Sequence, residues 1–239
     1  MASEHETLKD HIQTCMRILE EEVLCKGLTR IWTKRHNLSE DEVNNLLKIA
    51  VFSHDIAKGY KEYQERFRRG KGFSKHEFYS AYITGVTFGG TKNIELAQVT
   101  ILWHHMADRG PNFAESWNER SLYKYGTPRQ ITVDNKFRSL IPRLARNYGL
   151  SFSQDLPEKV TEEDVAELVK PASKLCEYVS KYYIPISLML RYLIIADSTS
   201  AFLNRGGNLR QFLRDYIFSY NGDLHNLREE IKRGLGLNF

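Results

Sequence analysis

Residues 49–64 read IAVFSHDIAKGYKEYQ. An apolar run, IAVF, delivers a histidine and an aspartate side by side, His54 and Asp55, and Lys58 follows three residues after the aspartate. A His-Asp pair alone is common, so its meaning depends on whether the rest of the chain supplies partners. Upstream, Ser39 and Glu42 have the spacing of a capping box, and Val43, Leu46, Leu47, Ala50 and Val51 then share one apolar stripe. Gly59 is placed to close that run. The stretch therefore reads as a core helix with two polar side chains near its end.

Outward from this helix the 3.6-residue period recurs. Ser3 with Glu6 predicts a second capping box, before a stripe of Leu8, Ile12, Cys15, Met16 and Leu19. Further helices are expected over 73–85, 93–105, 162–180, 185–203, 209–220 and 223–234. Few segments alternate strictly as half-buried strands do, so the fold class is all-α, a helical bundle. Around 108–157 the chain is punctuated by Gly110, Pro111, Gly126, Pro128, Pro142, Gly149 and Pro157. This reads as a less regular insertion with one or two short helices, because candidate site residues lie on both sides of it. A single domain over residues 1–239 is the simplest organisation.

At 239 residues, with 41% hydrophobic and 27% charged side chains, the chain can bury a substantial core and has an ordinary globular composition. The longest apolar stretch, 184–196, is interrupted by Arg191 and is short for a bilayer span. With no secretion signal in view, a cytoplasmic protein with no membrane partner is expected. Cys15, Cys25 and Cys176 form no CxxC pair and are odd in number, against both a disulfide framework and a zinc ribbon. They read as core or surface thiols. A net charge of +4 permits a nucleic-acid partner without requiring one.

Seven polar residues sit on or beside apolar helical stripes: His11 in LKDHIQTC, His54 and Asp55, His76 in FSKHEFYSA, His104 and His105 in ILWHHMADRG, and Asp197 in LIIADSTSA. His5, His36 and His225 have polar surroundings and read as surface residues. A lone histidine on an apolar face is usually a hydrogen-bonded core residue. A carboxylate such as Asp197 among apolar neighbours is costly unless paired or bound to metal. Five histidines and two aspartates entering one core independently would multiply that cost, and a shared metal site removes it. Imidazole with carboxylate suits Mn, Fe, Co, Ni or Zn, whereas a pure Mg site favours oxygen alone. Seven donors suffice for two ions that share a carboxylate.

The order His, His-Asp, His, His-His, Asp from His11 to Asp197 resembles the HD superfamily of metal-dependent phosphohydrolases, an all-α fold. The HDxxK form (His54, Asp55, Lys58), followed by YKEYQ, SKHEFYSA and the His104-His105 pair, is similar to the CRISPR-associated HD nuclease in its separate, helicase-free form. No GxxxxGK[ST] phosphate loop is present. The resemblance implies two divalent ions (Mn, Mg, Ni, Co, Fe or Zn). His11, His54, Asp55 and Asp197 would hold one, and Asp55, His76, His104 and His105 the other, with Asp55 as the bridge. It implies a catalytic role for Asp55 and Lys58, the lysine binding the phosphate or orienting the carboxylate. It further implies single-stranded DNA as substrate, with a separately encoded CRISPR helicase and an RNA-guided surveillance complex as partners in antiviral defence.

Residues 66–75, RFRRGKGFSK, carry Arg66, Arg68, Arg69, Lys71 and Lys75 with Phe67 and Phe73, immediately before His76. Cationic side chains that track phosphates and aromatic faces that stack on bases are what a single-strand groove needs, although such charge runs are also ordinary solvated loops. Weaker basic clusters lie at Lys136, Arg138, Arg143 and Arg146, and at Arg205, Arg210 and Arg214. Two alternatives keep part of this reading: a phosphohydrolase of nucleotides or cyclic dinucleotides, and a non-catalytic binding module. Gly110-Pro111 after the histidine pair lacks the tyrosine of the cyclic-dinucleotide branch's Gly-Tyr-Pro signature, and a scaffold has no need of a complete ligand set.

Overall fold

The helix that decides the fold, α2 (Glu40–Ser53), begins where its cap chemistry dictates. Ser39 Oγ accepts from the Glu42 amide at 3.1 Å and the Glu42 carboxylate accepts from the Ser39 amide at 3.4 Å. Glu40, Asp41 and Glu42 place negative charge at the positive end of its dipole. The computed structural model describes residues 6–24, 38–105, 127–169, 172–205 and 233. The expected helices over 209–220 and 223–234, the histidines at 5, 36 and 225, Cys25, Gly110-Pro111, Arg210 and Arg214 lie outside the described residues, as do the side chains of Cys176 and Arg205.

The other helices among the described residues are α1 (Leu8–Leu19), α3 (Lys61–Arg68), α4 (His76–Thr87), α5 (Ile94–Trp103), α6 (Asn135–Arg146), α7 (Glu162–Val169) and α8 (Ala172–Arg205). A π-helical turn, Glu20–Leu24, extends α1, and a 3-10 turn, Ile56–Gly59, follows α2. Ser3 of the expected Ser3 and Glu6 box lies outside the described residues; α1 starts at Leu8, capped by Thr7, whose side chain accepts from the Asp10 amide. Glu6 has another task, described below.

The protein is mostly helical. Helix α2 packs against α1, α4, α5 and α8, while α1 lies along α8 and α4 along α5. Ile12, Met16, Leu46, Ala50, Leu96, Ile101, Leu193 and Ala196 fill the space between them. Ser180–Asn204 within α8 is long and apolar enough to cross a membrane, which corrects the shorter span expected from 184–196. In this fold 56% of its most apolar window is buried inside the protein. The helix breaks at Tyr182 (φ −114°, ψ 22°), because Pro185 has no N–H for the carbonyl one turn earlier and crowds it.

The described part of the irregular segment contains the helix α6 and a short strand, β1 (Gln130–Thr132), and a second strand, β2 (Lys159–Thr161), follows just beyond it; the sequence announced neither strand. They pair antiparallel with Ile131 opposite Val160, both fully buried. Three-residue strands are too short to show alternation. The Glu62 carboxylate fastens this sheet to α3 by accepting from the Thr132 amide (2.6 Å) and hydroxyl (2.8 Å). Gly59 lets α6 close in: a Cβ there would stand 2.2 Å from the Phe137 ring.

Candidate metal centre

Five of the seven candidate side chains sit at or next to a helix end. His54 caps the C-terminus of α2, and Asp55 follows with φ −111° and ψ 7°, starting the 3-10 turn. The pair is therefore at a helix terminus, where the backbone changes course between the two residues. Lys58, one 3-10 turn on, lies above Asp55 and places Nζ 2.6 Å from Asp55 Oδ2. His76 opens α4, His104 caps α5 with His105 just beyond it, His11 lies in α1, and Asp197 in α8.

These elements bring all seven residues together in two groups of donor atoms that share Asp55. In the first, His11 Nε2 lies 3.3 Å from His54 Nε2, 3.4 Å from Asp55 Oδ2 and 3.3 Å from Asp197 Oδ1. His54 Nε2 lies 3.6 Å from Asp55 Oδ2 and 3.7 Å from Asp197 Oδ1. In the second, Asp55 Oδ1 lies 2.8 Å from His76 Nε2 and 4.0 Å from His104 Nε2, and His105 Nε2 lies 3.1 Å from His76 Nε2. Donors about 2.0–2.2 Å from a common ion at tetrahedral angles stand about 3.3–3.6 Å apart, and the first group matches that spacing.

The outward nitrogens explain why the inward ones are bare. His54 Nδ1 donates to the Val51 carbonyl (2.8 Å), His76 Nδ1 to Phe73 (2.6 Å) and His104 Nδ1 to Ile101 (2.5 Å), each three residues back. His11 Nδ1 faces the Glu6 carboxylate at 3.1 Å. A carbonyl can only accept, so Nδ1 carries the proton in the three rings that face one, and their neutral forms present a lone pair on Nε2. His104 Nε2 and Asp55 Oδ1 are buried with no aligned hydrogen-bond partner. Bare lone pairs converging in a buried space are costly, and a cation among them removes the cost.

Protonation runs the same way. His104 is held well below the usual histidine range, by burial first and then by His105, His54 and His76; His105 is lowered to about 4, by burial and then His76. Burial would raise Asp55, but Lys58, His54 and His76 outweigh it and keep the carboxyl well below its usual range; His11 and His54 do the same for Asp197. Neutral imidazoles and ionised carboxylates are the forms that bind metal. His11 is the exception: burial lowers it, but Cys15, Asp197 and Glu6 together hold it well above the ordinary value. These buried His/Asp groups can hold a metal ion.

Four contributors were not legible as site residues. Glu6 Oε1 accepts from Asn204 and lies 3.4 Å from Ser200 Oγ, which is 3.1 Å from His11 Nδ1. Ser200 and Asn204 follow Asp197 on one face of α8, a spacing that could have flagged them. Cys15 Sγ stands 3.7 Å from His11 Nε2 one turn along α1.

In the basic stretch, Arg68, Arg69 and Lys71 are exposed and Gly70 turns the chain at φ +69°. Lys75 does not join them: it is 7% exposed, with Nζ 5.3 Å from the Phe78 ring centre. Arg66 is half-buried, and Phe67 and Phe73 stack on each other at 5.1 Å, each covering one face of the other. Lys61, Arg68 and Lys136 line one cleft together with Glu65 and Asp134.

Compared with models of known protein families and with curated proteins, the chain matches none.

Proposed function

We propose that this chain is a metal-dependent phosphodiesterase of the HD kind, a nuclease that cuts single-stranded DNA. In this reading it works in the cytoplasm in CRISPR interference, beside a separately encoded helicase and an RNA-guided surveillance complex. The observation that carries the reading is Asp55, whose Oδ2 faces His11 and His54 while Oδ1 faces His76 and His104. One ion belongs to His11, His54, Asp55 and Asp197, the other to Asp55, His76, His104 and His105. The mixed nitrogen and oxygen set favours Mn, Fe, Co, Ni or Zn over Mg. Such a pair supplies an activated water and positive charge for the attacking and leaving oxygens of a phosphodiester.

The chain's own residues do the rest. Lys58 holds the carboxylate of Asp55 in place and keeps it ionised. The Nδ1 bonds of His54, His76 and His104 fix the three rings with Nε2 inward. Asp197, with its side chain 30% exposed, and His105 are the partly open ligands, one in each donor group. Arg68, Arg69 and Lys71, all exposed, offer phosphate contacts.

The test is cleavage by metal-stripped protein with each ion added back, on circular single-stranded DNA, duplex DNA, RNA and cyclic dinucleotides, beside Asp55→Ala. Metal-dependent loss of the circular single strand, absent in the variant, is the expected result. Turnover of cyclic dinucleotides or mononucleotides alone would remove the nuclease reading and leave the metal site. Bound metal with no hydrolysis of any ester would favour a binding module.

A further inference from the structure

The thiol of Cys15 is a ligand to neither ion in the reading above, yet it is fully buried and aimed at the first donor group. Its Sγ, His11 Nε2 and a ring nitrogen of His54 lie within 4.8 Å of one another. An ion bound at about 2.3 Å to sulfur and about 2.0–2.1 Å to nitrogen sets those atoms about 3.5–3.6 Å apart at a tetrahedral angle. The 3.7 Å between Cys15 Sγ and His11 Nε2 is close to that value. Asp197 Oδ1 approaches the same two histidines, at 3.3 and 3.7 Å. His11 and His54 therefore face two interchangeable third donors, one hard and one soft.

The geometry points to a second, thiophilic metal mode at this position, in which Zn, Cd or Co(II) is held by His11, His54 and the Cys15 thiolate, while Mn and Mg use Asp197. It rests on the metal-site reading above. On binding, the S–H bond breaks, a sulfur–metal bond forms, and the proton, which otherwise points at the Ala196 carbonyl 3.6 Å away, leaves to solvent. Soft ions select thiolate and hard ions carboxylate, so a single fold offers a donor to each.

Co(II) titrated into metal-stripped, reduced protein reports this directly through the near-ultraviolet sulfur-to-metal charge-transfer band. The expected result is one such band per chain in the native protein, lost in both Cys15→Ser and Cys15→Ala. Zn affinity should fall by about 10- to 100-fold in those variants, the scale of altered site partners. Mn affinity should stay within about twofold, which also shows that the variants are folded. A band that persists without Cys15 would come from another cysteine and overturn the inference. Co(II) binding with no band in native protein would overturn it and leave the metal site standing. Failure of Co, Zn and Mn alike to bind would remove both.

Discussion

If two ions share Asp55, their contributions to stability should be separable by substitution. An ion that binds only the folded chain adds about 2.7 kcal/mol when its free concentration is 100 times its Kd. For a chain of this size, 1 kcal/mol raises Tm by about 2–4 °C, so one ion adds about 5–11 °C and two add about 11–22 °C. Because Asp55 faces both donor groups, Asp55→Asn should lose nearly the whole metal-induced rise. His104 belongs to the second group alone, so His104→Ala should keep about half of it. Calorimetry with and without Mn on each protein gives the increment, in which differences between the metal-free variants cancel. An unchanged increment in Asp55→Asn would refute the shared carboxylate. Loss of the whole increment in His104→Ala would refute two separable ions.

Three further outcomes can be checked. Gly59→Ala should destabilise by about 1–3 kcal/mol, as overpacking does, because its new methyl would meet the Phe137 ring at 2.2 Å; Phe137→Leu should relieve that cost in a double-mutant cycle read by urea unfolding. Burial alone would raise Glu42, but hydrogen bonds from Lys92, Asn93 and the Ser39 amide outweigh it and leave its pKa lowered. A lowered carboxyl stabilises fully above the unfolded value near about 4.3 and loses that contribution as pH falls through the folded value. Glu42→Gln should therefore flatten the acid limb of a pH–stability curve without changing its neutral shape. Arg68→Ala with Arg69→Ala should weaken single-strand binding and reduce the salt slope by about 1.4, at about 0.7 per phosphate contact. Hydrolysis of a small phosphodiester should be unaffected, and equal loss on both substrates would exclude a groove at that loop.

The helical period and the Ser39–Glu42 box were legible because both are local, and the structure starts α2 where they predict; the helix ends at Ser53, and Gly59, expected to close it, ends the following 3-10 turn instead. His and Asp at apolar positions were legible as a group because burial without partners is expensive, whatever the fold. What the sequence hid depends on long-range packing. Thr7 caps α1, and Glu6 beside it is drawn inward by His11, Ser200 and Asn204, the last two far along the chain. Lys75 looks like its basic neighbours in a linear reading, but the left-handed turn at φ 62° that starts α4 carries it into the interior. The strand pair needed Ile131 to meet Val160 across an intervening helix, which no local pattern announces.

The two donor groups also differ in when a growing chain can assemble them. Asp55, His76, His104 and His105 are all made before the middle of the chain, whereas the first group joins α1 to α8, where Ser200 meets His11 across 189 residues. At about 5–20 residues per second, the roughly 90 residues between His105 and Asp197 take about 5–20 s to synthesise. During that interval the first group already has His11, His54 and Asp55 and lacks only Asp197. If both groups hold metal, the one around His76 would have its full set of donors first, and the one around His11 would be completed only when α8 has emerged and packed.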